Sequence, residues 1–285
     1  MIGVRTRILT RALLAGSLLL AALFPAHAQT TLVTEIPQTR FSSGQDIVPT
    51  FEGWLRNPDG TFTMVFGYLN RNWKEELIIP PGPDNNVDPG GPDRGQPTYF
   101  LPRRQRFLFR VQVPADWGQK ELIWTITAHG RTEKAYAHLL PAEEITERMI
   151  MTRGNLNPGE DDPNKPPSIT IVAVSGASAS GPVTLTAKVT DDGLPKPRTP
   201  RGRTGAAATA QSNSVAGERP VGLTVTWLEY RGPAKAVFDA AGPVPVTDGR
   251  AITAAHFSAP GTYVLRATAN DGALSTAAEV TVTVP

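Results

Sequence analysis

Residues 257–272, FSAPGTYVLRATANDG, decide the fold of this chain. Tyr263, Leu265, Ala267 and Ala269 alternate with Val264, Arg266 and Thr268. A period of two marks a strand with one buried face. Pro260-Gly261 before it and Asn270-Asp271-Gly272 after it supply turn chemistry. Tyr263 stands two residues ahead of Leu265, a core position. In sandwiches of two antiparallel sheets, a Tyr so placed closes a corner through its hydroxyl, two residues ahead of a Cys. Here Leu holds the Cys position, and the stretch predicts a β-sandwich without the disulfide.

Working outward, the same alternation recurs from Ser168 to the end of the sequence. Residues 169–174 form a first strand. Val183, Leu185, Ala187 and Val189 line the inner face of a second, and Leu223, Val225 and Trp227 that of a third. Residues 251–257 and 261–269 follow, and Val280, Val282 and Val284 close the sheet. Between the second and third strands, residues 193–221 are rich in Pro, Arg, Ala, Ser and Thr and lack apolar periodicity. They read as a disordered insertion. It is basic, with Lys196, Arg198, Arg201, Arg203 and Arg219 against Glu218. It should emerge beside Asn270-Asp271-Gly272, at one end of the sandwich.

The first half, residues 50–140, carries the same signature. A short strand at 51–56 meets Asn57-Pro58-Asp59-Gly60, a hairpin signal. The return strand puts Phe62, Met64, Phe66 and Tyr68 on one face. Further strands are predicted at 75–79, 107–114, 121–128 and 132–139, which fits a second sandwich. Residues 80–102 hold seven prolines and read as a long loop. Residues 141–167 read as a short helix, around 143–151, followed by a polar linker. Residues 29–49 read as an extended lead-in.

Residues 1–28 have the three parts of a secretory signal: Arg5, Arg7 and Arg11, then the apolar run 12–24, then Ala26-His27-Ala28. Cleavage after Ala28 removes three arginines and no acid, leaving 25 basic against 26 acidic residues. The basic charge of the whole sequence is therefore no pointer to nucleic acid. There is no cysteine, which removes thiol nucleophiles, Cys-zinc sites and acylation at a lipobox from consideration. No second apolar run of membrane-spanning length follows. These features place the product in the periplasm or outside the cell.

Residues 183–193 (VTLTAKVTDDG), 223–227 (LTVTW) and 257–272 resemble the PKD-like and cadherin-like modules of bacterial secreted proteins. That resemblance implies an immunoglobulin-like sandwich and a module that spaces, displays or binds rather than catalyses. The basic insertion and the missing Cys pair depart from the pattern. The first half resembles a recurrent, uncharacterised exported bacterial region, on residues 51–54 (FEGW), 57–61, 66–72 (FGYLNRN), 82–85, 93–97 and 100–104. That likeness implies no activity.

Several groups are candidates for a site. Asp84, Asn86 and Asp88 put oxygen ligands at alternate residues, the spacing of calcium loops, although Pro89 stands where a Gly is wanted. Asp191 and Asp192 are expected to meet Asp271 at one sandwich end, as a second calcium candidate. Both groups are also read as turn residues, since Asp-Gly more often ends a strand simply because it turns well. Arg103, Arg104 and Arg106 follow the long loop, near Tyr99, and suit an anionic glycan, carboxylate or phosphate, or else an internal ion-pair network. Trp54, Tyr68, Trp73, Tyr99 and Trp117 supply aromatic surface for a stacked sugar or for the core. Trp73 and Trp117, beside turns, are the surface candidates, while Trp124 and Trp227 read as core. His129, His138 and His256 have no metal-ligand spacing, and neither a Gly-x-Ser-x-Gly nor a His-Glu-x-x-His motif occurs. No catalytic residue is assigned.

The expectation is an exported, all-β, non-catalytic binding, adhesion or scaffolding protein of the bacterial envelope. Its partner would be an envelope glycan or protein, contacted by residues 80–106. The alternatives are an envelope-polymer hydrolase with an accessory C-terminal sandwich, and a structural spacer.

Overall fold

The computed structural model describes residues 40–155, 161–174, 181–196 and 222–285. The signal sequence, most of the lead-in, Leu156 and most of the basic insertion (197–221) lie outside the described residues. The described residues all fall in one unit, Arg40–Pro285.

The chain enters β1 (Ile47–Arg56) and returns through β2 (Phe62–Asn70), with Ile47 opposite Asn70 and Arg56 opposite Phe62. A bulge at Glu52, between Phe51 and Gly53, breaks the register. Gly53 has φ +126°, and a Cβ there would lie 2.7 Å from the Glu143 carbonyl, so only glycine lets the later chain pack so closely. There follow β3 (Leu77–Ile78), β4 (Asn85–Asp88), β5 (Tyr99–Phe100), β6 (Arg103–Val113), β7 (Leu122–Ala128) and β8 (Arg131–Ala137). They assemble as β1-β2-β6 facing β4-β7-β8, with β3 paired to β5. The inner faces meet in an aromatic core. Phe66 stacks on Phe109 at 5.3 Å between ring centroids, and Trp124 sets its edge against Phe109 at 5.3 Å. A 3-10 turn, Pro141–Glu143, and a helix, Glu147–Met151, follow. Thr146 caps that helix by accepting the Met149 N–H.

The second sandwich contains β9 (Ser168–Ile171), β10 (Val183–Thr190), β11 (Thr224–Arg231), β12 (Ala236–Phe238), β13 (Val244–Pro245), β14 (Arg250–Phe257), β15 (Gly261–Asn270) and β16 (Ser275–Val284). Sheet β12-β14-β10-β9 faces sheet β13-β11-β15-β16, every pairing antiparallel. Val183, Leu185, Ala187 and Val189 are buried against Val225, Leu265, Ala267 and Ala269. The Tyr263 hydroxyl donates to the Ala259 carbonyl at 2.9 Å, which closes the corner that the spacing in 257–272 predicts. This core shares no residue with that of the first sandwich.

Two expectations are corrected. Residues 80–102 are not a structureless loop. β4 lies within them and pairs with β7, and β5 pairs with β3. A buried Asn85 holds them: its Nδ2 donates to the carbonyls of Ile79 (2.9 Å) and Pro97 (2.8 Å), and its Oδ1 accepts from Trp124 Nε1 (2.9 Å). Side-chain amides satisfy what the prolines cannot donate. The helix predicted around 143–151 is shorter, because Glu144 has extended dihedrals and Ile145 N–H bonds instead to the Trp54 carbonyl. Alternation also fails at the end of β11, where a bulge between Glu229 and Arg231 leaves Glu229 and Tyr230 both buried.

Candidate functional site

Residues 93–99 meet the end of β11. Thr98 N–H donates to the Tyr230 carbonyl at 3.1 Å, and the Tyr230 hydroxyl donates to the Gly95 carbonyl at 2.6 Å. Arg231 Nε donates to the Gln96 carbonyl at 2.8 Å, and its guanidinium pairs with Asp93 at 2.5 Å. That pairing holds the Asp93 carboxyl below its ordinary range. Gly232 N–H donates to Thr98 Oγ1 at 3.2 Å. The proline-rich segment expected to contact an external ligand is thus engaged by the chain's own second sandwich.

The joint is reinforced around this strip. Arg266 lies 4.1 Å over the Tyr230 ring, donates to the Leu108 carbonyl and pairs with Glu279. Ser275 Oγ donates to the Met151 carbonyl at 2.9 Å. Asn164, itself buried, donates to Asp271 Oδ2 at 3.1 Å, and Lys165 N–H to Asp192 Oδ2 at 3.0 Å. Beside the joint runs a cleft of about 1310 Å³, lined by Arg106, Phe107 and Ile150 on one wall and Thr226, Leu228 and Thr268 on the other.

One edge of the cleft carries a cluster of titratable groups. Glu76 accepts from the Tyr99 hydroxyl and pairs with Lys235 at 2.6 Å, joining β5 of one sandwich to the loop after β11 of the other. Glu229 is 2% exposed and accepts the Ala236 N–H at 2.6 Å through Oε2. Its Oε1 has no partner and lies against Gly232, where a Cβ would come within 2.2 Å of it. Burial pushes the Glu229 carboxyl up to about 7, with the Ala236 N–H pulling it down, Glu76 raising it further and Lys235 lowering it. Burial and the Glu76 bond push the Tyr99 phenol up as well. Glu229 is 2% exposed and lies against Gly232, and Glu76 is already held by two partners. The cluster therefore ties the sandwiches together and does not present two free carboxylates to a scissile bond.

The residues singled out in the sequence disperse. Tyr99 is 4% exposed, inside the joint. Trp117, expected at the surface, is 7% exposed, because the turn at 114–118 folds its ring into the first core. Trp54 and Tyr68 are buried too. Arg104 points at Thr50 Oγ1 and Glu52 Oε1, 2.7 Å from each. Burial raises the Glu52 carboxyl, with Arg104 and Arg106 opposing the rise. Arg106 lines the cleft. Trp73 and Arg103 do come together: the Arg103 guanidinium lies 4.3 Å from the indole centroid. Arg40 lies 4.5 Å from the same ring.

Neither calcium candidate wraps a point. Asn86 and Asp88 lie on β4, and side chains that alternate along a strand are spaced in a line, roughly 7 Å apart, rather than around an ion. Asp191, Asp192 and Asp271 do gather at one end of the second sandwich. Partial burial first, then the Asp271 and Asp192 charges, raise the Asp191 carboxyl. Yet each carboxylate accepts backbone N–H groups: Asp191 from Gly193, Asp192 from Leu194 and Lys165, and Asp271 from Ala273 and Leu274. Those bonds hold Asp192 below its ordinary range. Among the described residues, no three His, Cys, Asp or Glu side chains are grouped so as to hold a metal.

Sequence reasoning missed Glu76, Glu229, Lys235 and Arg231, and also Arg40. The available signal was Glu229-Tyr230-Arg231, three polar or amphipathic residues that break the alternation ending LTVTW.

No family model matches the chain, and no curated protein matches it. Among solved structures it is similar to the D00-D0 domain of Intimin, at 12% identity over 84% of this chain and 100% of that one, with a TM-score of 0.28. At that score the likeness carries no functional reading. No helix among the described residues is long and apolar enough to cross a membrane.

Proposed function

We propose that this chain is an exported, non-catalytic binding and scaffolding protein of the bacterial envelope, working as a rigid two-sandwich frame. The observation that carries the reading is the joint. Residues 93–99 and 230–232 bond backbone to backbone and side chain to backbone, so the sandwiches present their surfaces in one fixed relation. A frame that does not reorient loses little freedom when it holds a partner. The signal pattern in residues 1–28 supports export.

The test is co-sedimentation of the signal-free chain with isolated bacterial envelope. The chain should pellet with the envelope, and no soluble sugar or peptide should be released. A chain that stays in the supernatant would sink the binding reading. Release of soluble sugar or peptide by the purified chain would establish the hydrolase instead.

A further inference from the structure

The local chain around Trp73 is built from beneath. Asn72 is fully buried; its Oδ1 accepts Gln45 N–H at 2.7 Å, and its Nδ2 donates to the Gln45 carbonyl at 2.8 Å and to Asn70 Oδ1 at 2.9 Å. Trp73 N–H donates to the Phe41 carbonyl at 2.9 Å, and Lys74 and Glu75 N–H both donate to the Ser42 carbonyl at 3.0 Å. Gly44 N–H donates to Glu75 Oε2 at 2.7 Å. Residues 40–45 are thereby strapped onto 72–75, which sets Arg40 against the indole.

Arg103, at the start of β6, has φ +68°. A non-glycine residue held in the left-handed region carries local strain, and such strain collects at functional sites. Its Nη1 donates to the Arg71 carbonyl at 3.2 Å. Arg71 itself is paired with Asp46 at 3.3 Å. Among the described residues, neither Arg40 nor Arg103 has a carboxylate within ion-pair distance, and Lys74, which follows Trp73 in the sequence, is exposed and likewise in no ion pair. Two guanidiniums on one indole repel each other. Arg103 keeps the N–H groups that its bond to the Arg71 carbonyl leaves over, and Arg40 has no other printed contact among the described residues.

We propose that Arg40, Trp73 and Arg103 form a binding site for an oxyanion, a carboxylate or a phosphate, carried on an envelope glycan. The inference rests on the binding reading above and adds the ligand class. An oxyanion beside the ring accepts from Arg40 and from the Arg103 N–H groups that Arg71 leaves over, and offsets the charge of the two cations. The indole fixes the two cations and is not itself a free platform for a sugar face, since guanidiniums already lie over it.

Trp73 is half-buried, while Trp54, Trp117, Trp124 and Trp227 are buried, so a ligand-induced change in tryptophan emission comes chiefly from Trp73. The signal-free chain is titrated with polygalacturonate, with a phosphorylated mannan and with neutral dextran at about 20 mM salt, where exposed charges are little screened. Equilibrium dialysis provides a second readout. A saturable response is expected to one or both polyanions and none to dextran; which polyanion responds identifies the carboxylate or the phosphate. The Arg40→Gln, Arg103→Gln double variant should bind at least tenfold more weakly with its circular dichroism unchanged. Arg103→Lys, which keeps the charge and loses the fork, should lose roughly threefold. The assignment falls if the double variant binds like the parent, if dextran responds equally, or if neither polyanion responds. If the double variant still pellets with envelope, the frame reading stands and only this site is lost. If the chain binds polyanion but never pellets with envelope, the envelope reading is lost and the oxyanion site stands.

Discussion

Asn85 shows how far a single residue can organise a segment. Asn85→Ala would strand the Ile79 and Pro97 carbonyls and the Trp124 indole N–H together. Each unsatisfied buried group costs about 1–3 kcal/mol, so the loss of stability should exceed about 3 kcal/mol in urea unfolding. Asp84→Ala, one residue away with an exposed side chain, should stay within about 0.5 kcal/mol. Glu229 gives a pH signature. Its folded-state carboxyl titrates near 7 against 4.5 for an ordinary Glu, so the folded state holds a proton that the unfolded state has released. Its contribution is fully present below about pH 4.5 and is lost as pH rises through 7. The charged and titratable groups facing it are Glu76, Lys235, Tyr99 and Tyr263. Glu229→Gln should therefore stabilise the protein at pH 8, by up to about 3 kcal/mol, and give no gain at pH 4.5. Melting curves at the two pH values check it. The residue-level signal in the sequence was uneven. Tyr263 revealed its hydroxyl bond through spacing alone, whereas Asn85 looked like one more polar residue between prolines.

Among the elements, the long strands were legible and the short ones were not. β10, β15 and β16 bury alternate side chains against one core, so period two reaches the sequence unaltered. β3, β4, β5, β12 and β13 span two to four residues each, too few to show a period, and several sit among prolines. The pairing of β4 with β7 is set by Trp124 and Asn85, which are distant in sequence. Reading 80–102 as a loop followed directly from its seven prolines; its backbone acceptors are met by Asn85 and Gln96 side chains and by Arg231. The joint makes an element-scale prediction. Arg231→Ala removes the Asp93 pair and the bond to the Gln96 carbonyl. Hydrogen exchange at the Thr98 amide, which donates across the joint, should accelerate at least tenfold, while Leu185 and Leu265 in the second core keep their protection.

At the scale of the whole molecule, two separate cores are coupled by a polar seam rather than a shared apolar interior. The candidate site was legible only in part for the same reason. Trp73 and Arg103 were recognisable as types, but Arg40 reaches them through backbone strapping that leaves no pattern in the sequence. The seam also has a mechanical consequence. It joins the sandwiches in addition to the covalent connection between them, so tension applied between residue 40 and Pro285 loads the seam until it shears. Stretched between two beads in an optical trap, the protein should yield first in a short step as the seam parts. Unravelling of either sandwich should follow at higher force, and Arg231→Ala should lower the first step alone.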